Sequence, residues 1–303
     1  MSEAIRTDTS DAAAHEEAPP PGGVVVLSPH LDDAVLSLGA LIARLTAGGR
    51  PVQVWTAFSH APPGLRVPRR WQAFGDYATR RAEDARALAV VGARPRHLGL
   101  PERIWRRPQP RTLAGAFRGP ASMTGFACLP AVADAVASAL RVPGVEVYAP
   151  LGVGQHADHL EVAVAALSTA LDAQACGRVG FYEDYYALSE ASRRRHPVAR
   201  LRPFPGPSSP GWAAPTLGAA LWLMAAALPG PRLDRYLPVT GTLRWACEPV
   251  PVDGFESRKL TAVAAYASQL PRLGGRRRLE AALRRAHRSR GGELVWRAQP
   301  ARR

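Results

Sequence analysis

A regular alternation of short apolar runs with helix-like segments constrains the fold of this chain more than any other feature of its sequence. Continuous apolar runs are typical of strands buried on both faces of a parallel sheet, and they occur at residues 24–27, 52–58, 97–100, 145–149 and 179–183. Helical periodicity occupies the intervening residues 34–45, 79–91, 129–140 and 157–171. The alternation predicts an α/β fold with a doubly wound, mostly parallel sheet and helices on both faces.

The remaining segments have weaker patterns. Residues 237–250 predict a hairpin around Gly241, residues 258–270 a helix, and the tail at residues 272–303 an arginine-dense helix. The Pro-rich residues 189–231 predict an insertion or a lid. Residues 1–21 lack the basic and apolar regions of a secretory signal and predict a disordered tail. We therefore expect one domain, over residues 22–303.

The net charge of +14 is weak evidence for a nucleic-acid partner. Of the 39 basic residues only Lys259 is a lysine, and codon bias in a GC-rich coding sequence explains such an excess of arginine. No recognition motif accompanies the charge, and no apolar run is long enough to span a bilayer. Cys128, Cys176 and Cys247 are too widely spaced to indicate disulfides or a cysteine zinc site. We expect a cytoplasmic protein without nucleic-acid binding or membrane insertion.

The first chemical motif is Ser-Pro-His-Leu-Asp-Asp at residues 28–33, between the first predicted strand and the helix that follows it. Ligands of open α/β sheets bind at the carboxyl ends of the strands, so the motif lies where chemistry is expected. Imidazole and carboxylate groups are zinc ligands, and a second carboxylate can act as a base. The alternative is a helix N-cap formed by Asp32 or Asp33, but capping needs neither the second carboxylate nor His30.

The second motif is Gly-Gln-His-Ala-Asp-His at residues 154–159, after the strand predicted at residues 145–149. His156 and His159 are three residues apart, so both can lie on one face of the helix that begins here. Asp158 can orient one imidazole by accepting its second N–H. The alternative is a polar helix start with incidental histidines. Together the two motifs provide three metal ligands, a base and a further imidazole, which predicts a catalytic metal site.

Both motifs resemble signatures of the PIG-L/LmbE-like zinc-dependent N-acetylglucosaminyl deacetylase family. The first is similar to the family's H-P-D-D at residues 30–33, and the second to its downstream H-x-D-H at residues 156–159. Residues 80–83 resemble the family's R-x-x-E helix, and the resemblance covers about residues 24–269. The chain departs from the family at Leu31, Ala34 and Ala157, where Pro, Glu and Pro are common.

The resemblance implies a Rossmann-like fold and a zinc cofactor. It also implies removal of an N-acetyl or other acyl group from an amino-sugar-containing substrate, such as a glycosylated natural product or a nucleotide sugar. The implied zinc ligands are His30, Asp33 and His159. The implied roles of the other residues are general base for Asp32, oxyanion stabilisation by a protonated His156 with Asp158 behind it, and substrate contact for Arg80.

Alternatives remain open. The same zinc chemistry also serves hydrolysis of a non-sugar amide or an ester. A non-catalytic anion-binding protein with a vestigial site is a second class, and the intact motifs argue against it. Arg80 can instead be a solvated helix residue paired with Glu83 or Asp84. Residues 182–184 are interpreted as groups with structural hydrogen bonds rather than as sugar-binding groups.

Overall fold

The computed structural model describes residues 18–62, 74–201 and 232–299 of the chain. Most of the predicted tail, residues 1–17, and most of the predicted lid, residues 202–231, lie outside the described residues.

Seven strands form one sheet in the order β3-β2-β1-β4-β5-β7-β6. The strands are β1 (Val24–Ser28), β2 (Val52–His60), β3 (Arg94–Pro101), β4 (Glu146–Pro150), β5 (Val179–Tyr182), β6 (Arg244–Val250) and β7 (Glu293–Gln299). The first five pair in parallel, and β7 is antiparallel to both β5 and β6. The predicted α/β fold with a mostly parallel sheet is therefore confirmed.

Helices pack on both faces of this sheet. They are α1 (Asp33–Ala47), α2 (Tyr77–Val91), α3 (Leu129–Arg141), α4 (Ala157–Asp172), α5 (Glu190–Arg195), α6 (Leu233–Tyr236), α7 (Glu256–Ala264) and α8 (Arg276–Arg290). In the described ranges, no helix is both long and apolar enough to cross a membrane.

Strand β1 contributes to two hydrophobic cores. Its side chains alternate between the faces of the sheet, as they must in an extended strand. Val25 and Leu27 lie in the core that includes α3 and α4. Val24 and Val26 lie in the core that includes α1, α2, α7 and α8. Burial on both faces explains why the sequence of β1 is continuously apolar.

One prediction for the carboxyl-terminal third is wrong, and one strand of this part was not predicted. The hairpin predicted at residues 237–250 is wrong, because a short 3₁₀ turn (Pro238–Gly241) precedes the single strand β6. Strand β6 pairs instead with β7, which the sequence patterns did not predict. The two strands lie more than 40 residues apart in the chain, so local turn signals cannot reveal their pairing. The predicted arginine-dense helix is confirmed as α8.

Glu293, the first residue of β7, closes a break in helix α1. The helix is interrupted at Leu38, whose φ of −123° and ψ of 18° are not helical. The Glu293 carboxylate accepts from the backbone N–H groups of Ala40 and Leu41 at 2.9 and 2.8 Å, and from Lys259 Nζ at 2.8 Å. Lys259 and Glu293 are both buried. This buried ion pair therefore joins β7 and α7 to the helix that follows the first motif.

Candidate metal centre and active site

The two motifs meet where the strand order of the sheet reverses. Strand β1 lies between β2 and β4, so the carboxyl ends of β1 and β4 border the crevice in which open α/β sheets bind ligands. The ring centroids of His30, His156 and His159 lie 5.0 to 5.2 Å from one another. One nitrogen of each ring lies within 4.8 Å of the others, in a group that could hold a metal ion.

Capping of helix α1 does not explain the two aspartates of the first motif. The Ser28 hydroxyl accepts from the backbone N–H of Ala34 at 3.0 Å and so provides a cap itself. Asp32 occupies the N-cap position but makes no side-chain capping hydrogen bond within the described chain. The N-cap alternative for Asp32 is therefore wrong, and its carboxylate is available for another role.

Three side-chain atoms that can bind a metal, one each from Asp33, His30 and His159, lie close together in the crevice. Asp33 Oδ2 lies 3.1 Å from His30 Nδ1 and 3.1 Å from His159 Nε2. His159 Nε2 is buried and has no hydrogen-bond partner of good geometry among the described residues. The donors of a tetrahedral zinc site lie about 3.3 Å apart, because each is about 2.0–2.1 Å from the ion. The two distances from Asp33 Oδ2 are close to this spacing.

Charges around these donors favour a cation. Burial raises the pKa of Asp33, but the neighbouring His159 and His30 rings outweigh this effect and lower the pKa well below its usual range. Burial lowers the pKa of His159, but Asp33 and Asp184 outweigh it and raise the pKa to about 9. The site therefore attracts positive charge, and a metal ion competes with the His159 proton for the same position.

Asp184 orients His159, a role that the sequence analysis missed. Asp184 Oδ1 lies 2.5 Å from His159 Nδ1, while Oδ2 accepts from the backbone N–H groups of Gly152 and Val153 at 2.8 Å each. A carboxylate on the second nitrogen of a metal-binding histidine fixes the ring and its tautomer. Asp184 directly follows β5, so its position at a strand end was the available signal.

The partner predicted for Asp158 is wrong. Its Oδ2 lies 3.0 Å from His30 Nε2, not on the His156 ring. The same carboxylate accepts from the Arg103 backbone N–H at 2.9 Å and from the Arg106 guanidinium. At the start of α4 the side chain faces the loop after β3 and the end of β1. Asp158 does orient an imidazole, and that imidazole belongs to His30.

The surroundings of His156 favour the neutral ring over the predicted protonated one, and its role in catalysis stays a prediction. It is the N-cap residue of α4, and its Nδ1 accepts from the backbone N–H of Asp158 at 3.3 Å. Burial and the nearby rings of His30 and His159 lower the pKa of His156 well below its usual value. With Nδ1 as acceptor, the neutral ring has its proton on Nε2, where it can donate to a developing oxyanion.

Asp32 lies among ionised groups on one side of the crevice. Burial and the adjacent Asp33 raise the pKa of Asp32 to about 7, while Arg80 opposes this shift. Arg80 is buried, and its Nη1 donates to Glu102 Oε1 at 2.7 Å. A carboxyl group with a pKa near 7 is suited to accept a proton at neutral pH.

The alternative pairing of Arg80 with Glu83 or Asp84 is wrong. Glu83 accepts from the Ser268 hydroxyl at 2.7 Å, and Asp84 accepts from the Tyr266 hydroxyl at 2.8 Å. These two carboxylates fix the segment after α7 against α2. Contact between Arg80 and a substrate stays a prediction.

The structural interpretation of residues 182 and 183 is confirmed. The Tyr182 hydroxyl donates to the carbonyl of Leu27 at 2.8 Å. The Glu183 carboxylate accepts from Arg193 Nε at 2.9 Å and from Trp296 Nε1 at 3.1 Å. Both residues thus stabilise the sheet, and only Asp184 of this segment contacts the candidate metal centre.

Comparison with known families agrees with this geometry. The model of the PIG-L family, described as GlcNAc-PI de-N-acetylase, matches residues 25–170. Residues 25–170 are thus similar to the PIG-L family. The match includes both motifs and confirms the predicted resemblance. Asp184 lies beyond the matched residues, two positions after strand β5.

The chain is also similar to a curated protein and to solved structures. The 2′-N-acetylparomamine deacetylase of Streptomyces fradiae is 34% identical over 146 residues, which are 46% of this chain and half (50%) of the relative's length. A deacetylase in the biosynthesis pathway of teicoplanin is 24% identical, with a TM-score of 0.65 over 91% of this chain and 97% of that one. An A40926 pseudoaglycone deacetylase is also 24% identical, with a TM-score of 0.60 over 91% and 96% of the two chains. The solved structures show that the fold is shared.

Proposed function

We propose that the chain is a zinc-dependent amidohydrolase that removes an acetyl group from an amino-sugar-containing substrate. The observation that carries the proposal is the convergence of His30 Nδ1, His159 Nε2 and Asp33 Oδ2 at two strand ends. The carboxylate of Asp32, which makes no helix-capping hydrogen bond within the described chain, lies beside them. Both strand ends lie within the segment that matches the PIG-L family model.

The donor chemistry favours zinc at this centre. Two imidazole nitrogens and one carboxylate oxygen are a typical ligand set of catalytic zinc sites, which leave a position open. When bound there, zinc supplies a Lewis acid that activates water for attack on an amide carbonyl. His30 and His159 would hold it with Asp33, and Asp158 and Asp184 fix the two rings from behind.

Asp32 and His156 have different roles in the reaction: Asp32 transfers protons, and His156 stabilises the oxyanion. Asp32 accepts a proton from the attacking water, since its carboxylate makes no capping bond within the described chain and lies beside the ligand Asp33. His156 donates a hydrogen bond from its Nε2–H to the carbonyl oxygen as negative charge develops there and keeps its proton. Such a donor contributes roughly 10²–10³ to kcat. The proton taken up by Asp32 then passes to the leaving amine nitrogen as the C–N bond breaks.

The substrate class is inferred from the relatives. The curated relative is named as a deacetylase of 2′-N-acetylparomamine, and the two solved structures are named as a deacetylase of the teicoplanin biosynthesis pathway and an A40926 pseudoaglycone deacetylase. A glycosylated natural product is the corresponding substrate for this chain, bound as a small molecule or glycoconjugate rather than as a nucleic acid. We further propose that residues 22–303 form one cytoplasmic domain.

A substrate panel and zinc analysis test the proposal together. Elemental analysis is expected to find one zinc ion per chain, and removal of that ion by a chelator should abolish release of acetate from N-acetylglucosamine, N-acetylparomamine and N-acetylated glycopeptides. Added zinc should restore the activity. Turnover of only non-sugar amides or esters would favour the alternative hydrolase, and a chain that neither binds zinc nor releases any acid would favour the non-catalytic anion-binding protein.

A further inference from the structure

Two aromatic rings, those of Phe117 and Tyr186, border the His156 ring, and the Tyr186 ring also lies 5.3 Å from that of His159. The Phe117 ring meets the His156 ring at 5.1 Å and 83°, and the Tyr186 ring stacks parallel to it at 6.3 Å and 5°. Phe117 and Tyr186 also meet each other edge to face at 5.4 Å. We call this pair the aromatic wall.

Phe117 belongs to neither of the two sheet cores, whereas Tyr186 packs against the core that includes α1, α2, α7 and α8. Phe117 lies in a separate apolar cluster with Leu31 and Trp105, against which Tyr186 packs. Leu31 stands between His30 and Asp32 and is 1% exposed. The cluster therefore places apolar surface directly beside the first motif, where the family usually has proline.

Both rings are held in place from outside the site. Phe117 ends a 3₁₀ turn (Leu113–Phe117), and the following loop is fixed where the Tyr236 hydroxyl donates to the carbonyl of Pro120 at 2.6 Å. Tyr186 lies in a 3₁₀ turn (Tyr185–Leu188) whose Ala187 carbonyl accepts from Arg290 at 2.7 Å. A fixed position is what a specificity-determining surface needs.

The crevice has both polar and aromatic surface. The polar groups of Asp32, Arg80 and Glu102 lie near one another, and the aromatic wall contacts the His156 ring. The carbonyl carbon of an N-acyl sugar has two substituents, a polar amine with its sugar and an apolar alkyl group. The polar groups suit the amine and sugar, and the aromatic wall suits the alkyl group.

We propose, on the basis of the proposed function, that Phe117 and Tyr186 form the end of the acyl pocket and limit the substrate to short acyl groups. The two rings contact each other, so the wall has no gap between them. An acyl chain longer than acetyl has to displace one ring. Hydrophobic pockets discriminate by about 10–200-fold for a methylene group, so removal of one ring is sufficient to change the preference.

The test compares N-acetyl-, N-butyryl- and N-hexanoylglucosamine, with the corresponding N-acylparomamines as a second series, in the zinc-loaded full chain. In the wild type, kcat/KM for acetyl exceeds that for hexanoyl. In Phe117→Ala the ratio of hexanoyl to acetyl kcat/KM rises at least about tenfold. Phe117→Leu, which retains more of the packing, gives a smaller rise in the same direction. The control is Phe255→Ala, which removes a partly buried ring remote from the site and leaves the ratio unchanged.

A binding measurement gives a readout that does not need turnover. Calorimetry with the product acids is expected to show that Phe117→Ala binds hexanoate at least about tenfold more tightly relative to acetate than the wild type does. If Phe117→Ala and Phe117→Leu both keep the wild-type ratio of hexanoyl to acetyl kcat/KM while the wild type is active, the inference is wrong and the proposed function still stands. A wild type that accepts hexanoyl as readily as acetyl would also overturn the inference. A wild type that releases no amine from any N-acyl substrate would overturn the proposed function, and the inference with it.

Discussion

Replacement of Asp184 by asparagine keeps the shape of the side chain and removes the charge behind His159. In the wild type, both carboxylate oxygens form hydrogen bonds. Oδ1 lies 2.5 Å from His159 Nδ1, and Oδ2 accepts from the backbone N–H groups of Gly152 and Val153 at 2.8 Å each. An asparagine has one acceptor and one donor group, so it can satisfy only one of these two sides.

Either orientation of the asparagine weakens the centre. If its oxygen faces His159, its NH₂ group opposes the N–H groups of Gly152 and Val153, and unsatisfied buried donors cost about 1–3 kcal/mol each. If its NH₂ group faces His159, that ring accepts at Nδ1 and has its proton on Nε2, the atom assigned to the metal. Losses of this kind reduce metal affinity about 10–100-fold, or about 1.4–2.7 kcal/mol.

The assay is a zinc titration against a competing chromophoric chelator at fixed pH. Asp184→Asn is expected to raise the zinc Kd about 10–100-fold. Glu183→Gln is the matched control, because the adjacent buried carboxylate binds Arg193 and Trp296 instead of His159. It should lower the free energy of unfolding and leave the zinc Kd of the folded protein unchanged. A zinc Kd for Asp184→Asn within twofold of the wild-type value would refute the reasoning.

Two further predictions concern stability. Glu293→Gln leaves the buried Lys259 ammonium without its anion, so urea unfolding should show a loss of about 3–5 kcal/mol, and a loss below 1 kcal/mol would contradict the role of the ion pair. Burial lowers the pKa of His196 to about 3 in the folded chain, whereas the unfolded chain protonates this ring near pH 6.5. The free energy of unfolding is therefore unaffected by this ring above pH 6.5, and it falls by about 1.4 kcal/mol per pH unit as the pH decreases from 6.5 to 3. Urea unfolding at pH 7 and pH 5 should show a smaller difference in His196→Asn than in the wild type, and equal differences would count against this assignment.

The parts of the fold that sequence patterns predict are those with local signals. Strand β1 is recognisable because burial on both faces makes its sequence continuously apolar. Helix α4 is recognisable because its apolar residues recur with helical periodicity. Strands β6 and β7 pair across more than 40 residues, and nothing local in their sequences specifies that partner.

The same distinction applies to the candidate site. His30 and Asp33 are close in the chain and lie just after a strand, so spacing and strand order predicted that an imidazole and carboxylates meet at this edge of the sheet. The choice of Asp33 over Asp32 as the ligand came from the family resemblance. The contacts that orient the rings are long-range: Asp158 reaches His30 from 128 residues away, and Asp184 reaches His159 from 25. Such contacts depend on the packed positions of several loops, which a single sequence does not encode in any local pattern.

The central claim is tested most directly by the rate of acetate release per bound zinc ion in Asp32→Asn. This change removes the proposed base and leaves the ligand donors of His30, Asp33 and His159 in place. The account predicts one zinc ion per chain, as in the wild type, with a rate lower by at least about 100-fold. A variant that retains its zinc and releases acetate at a rate within tenfold of the wild type would contradict it.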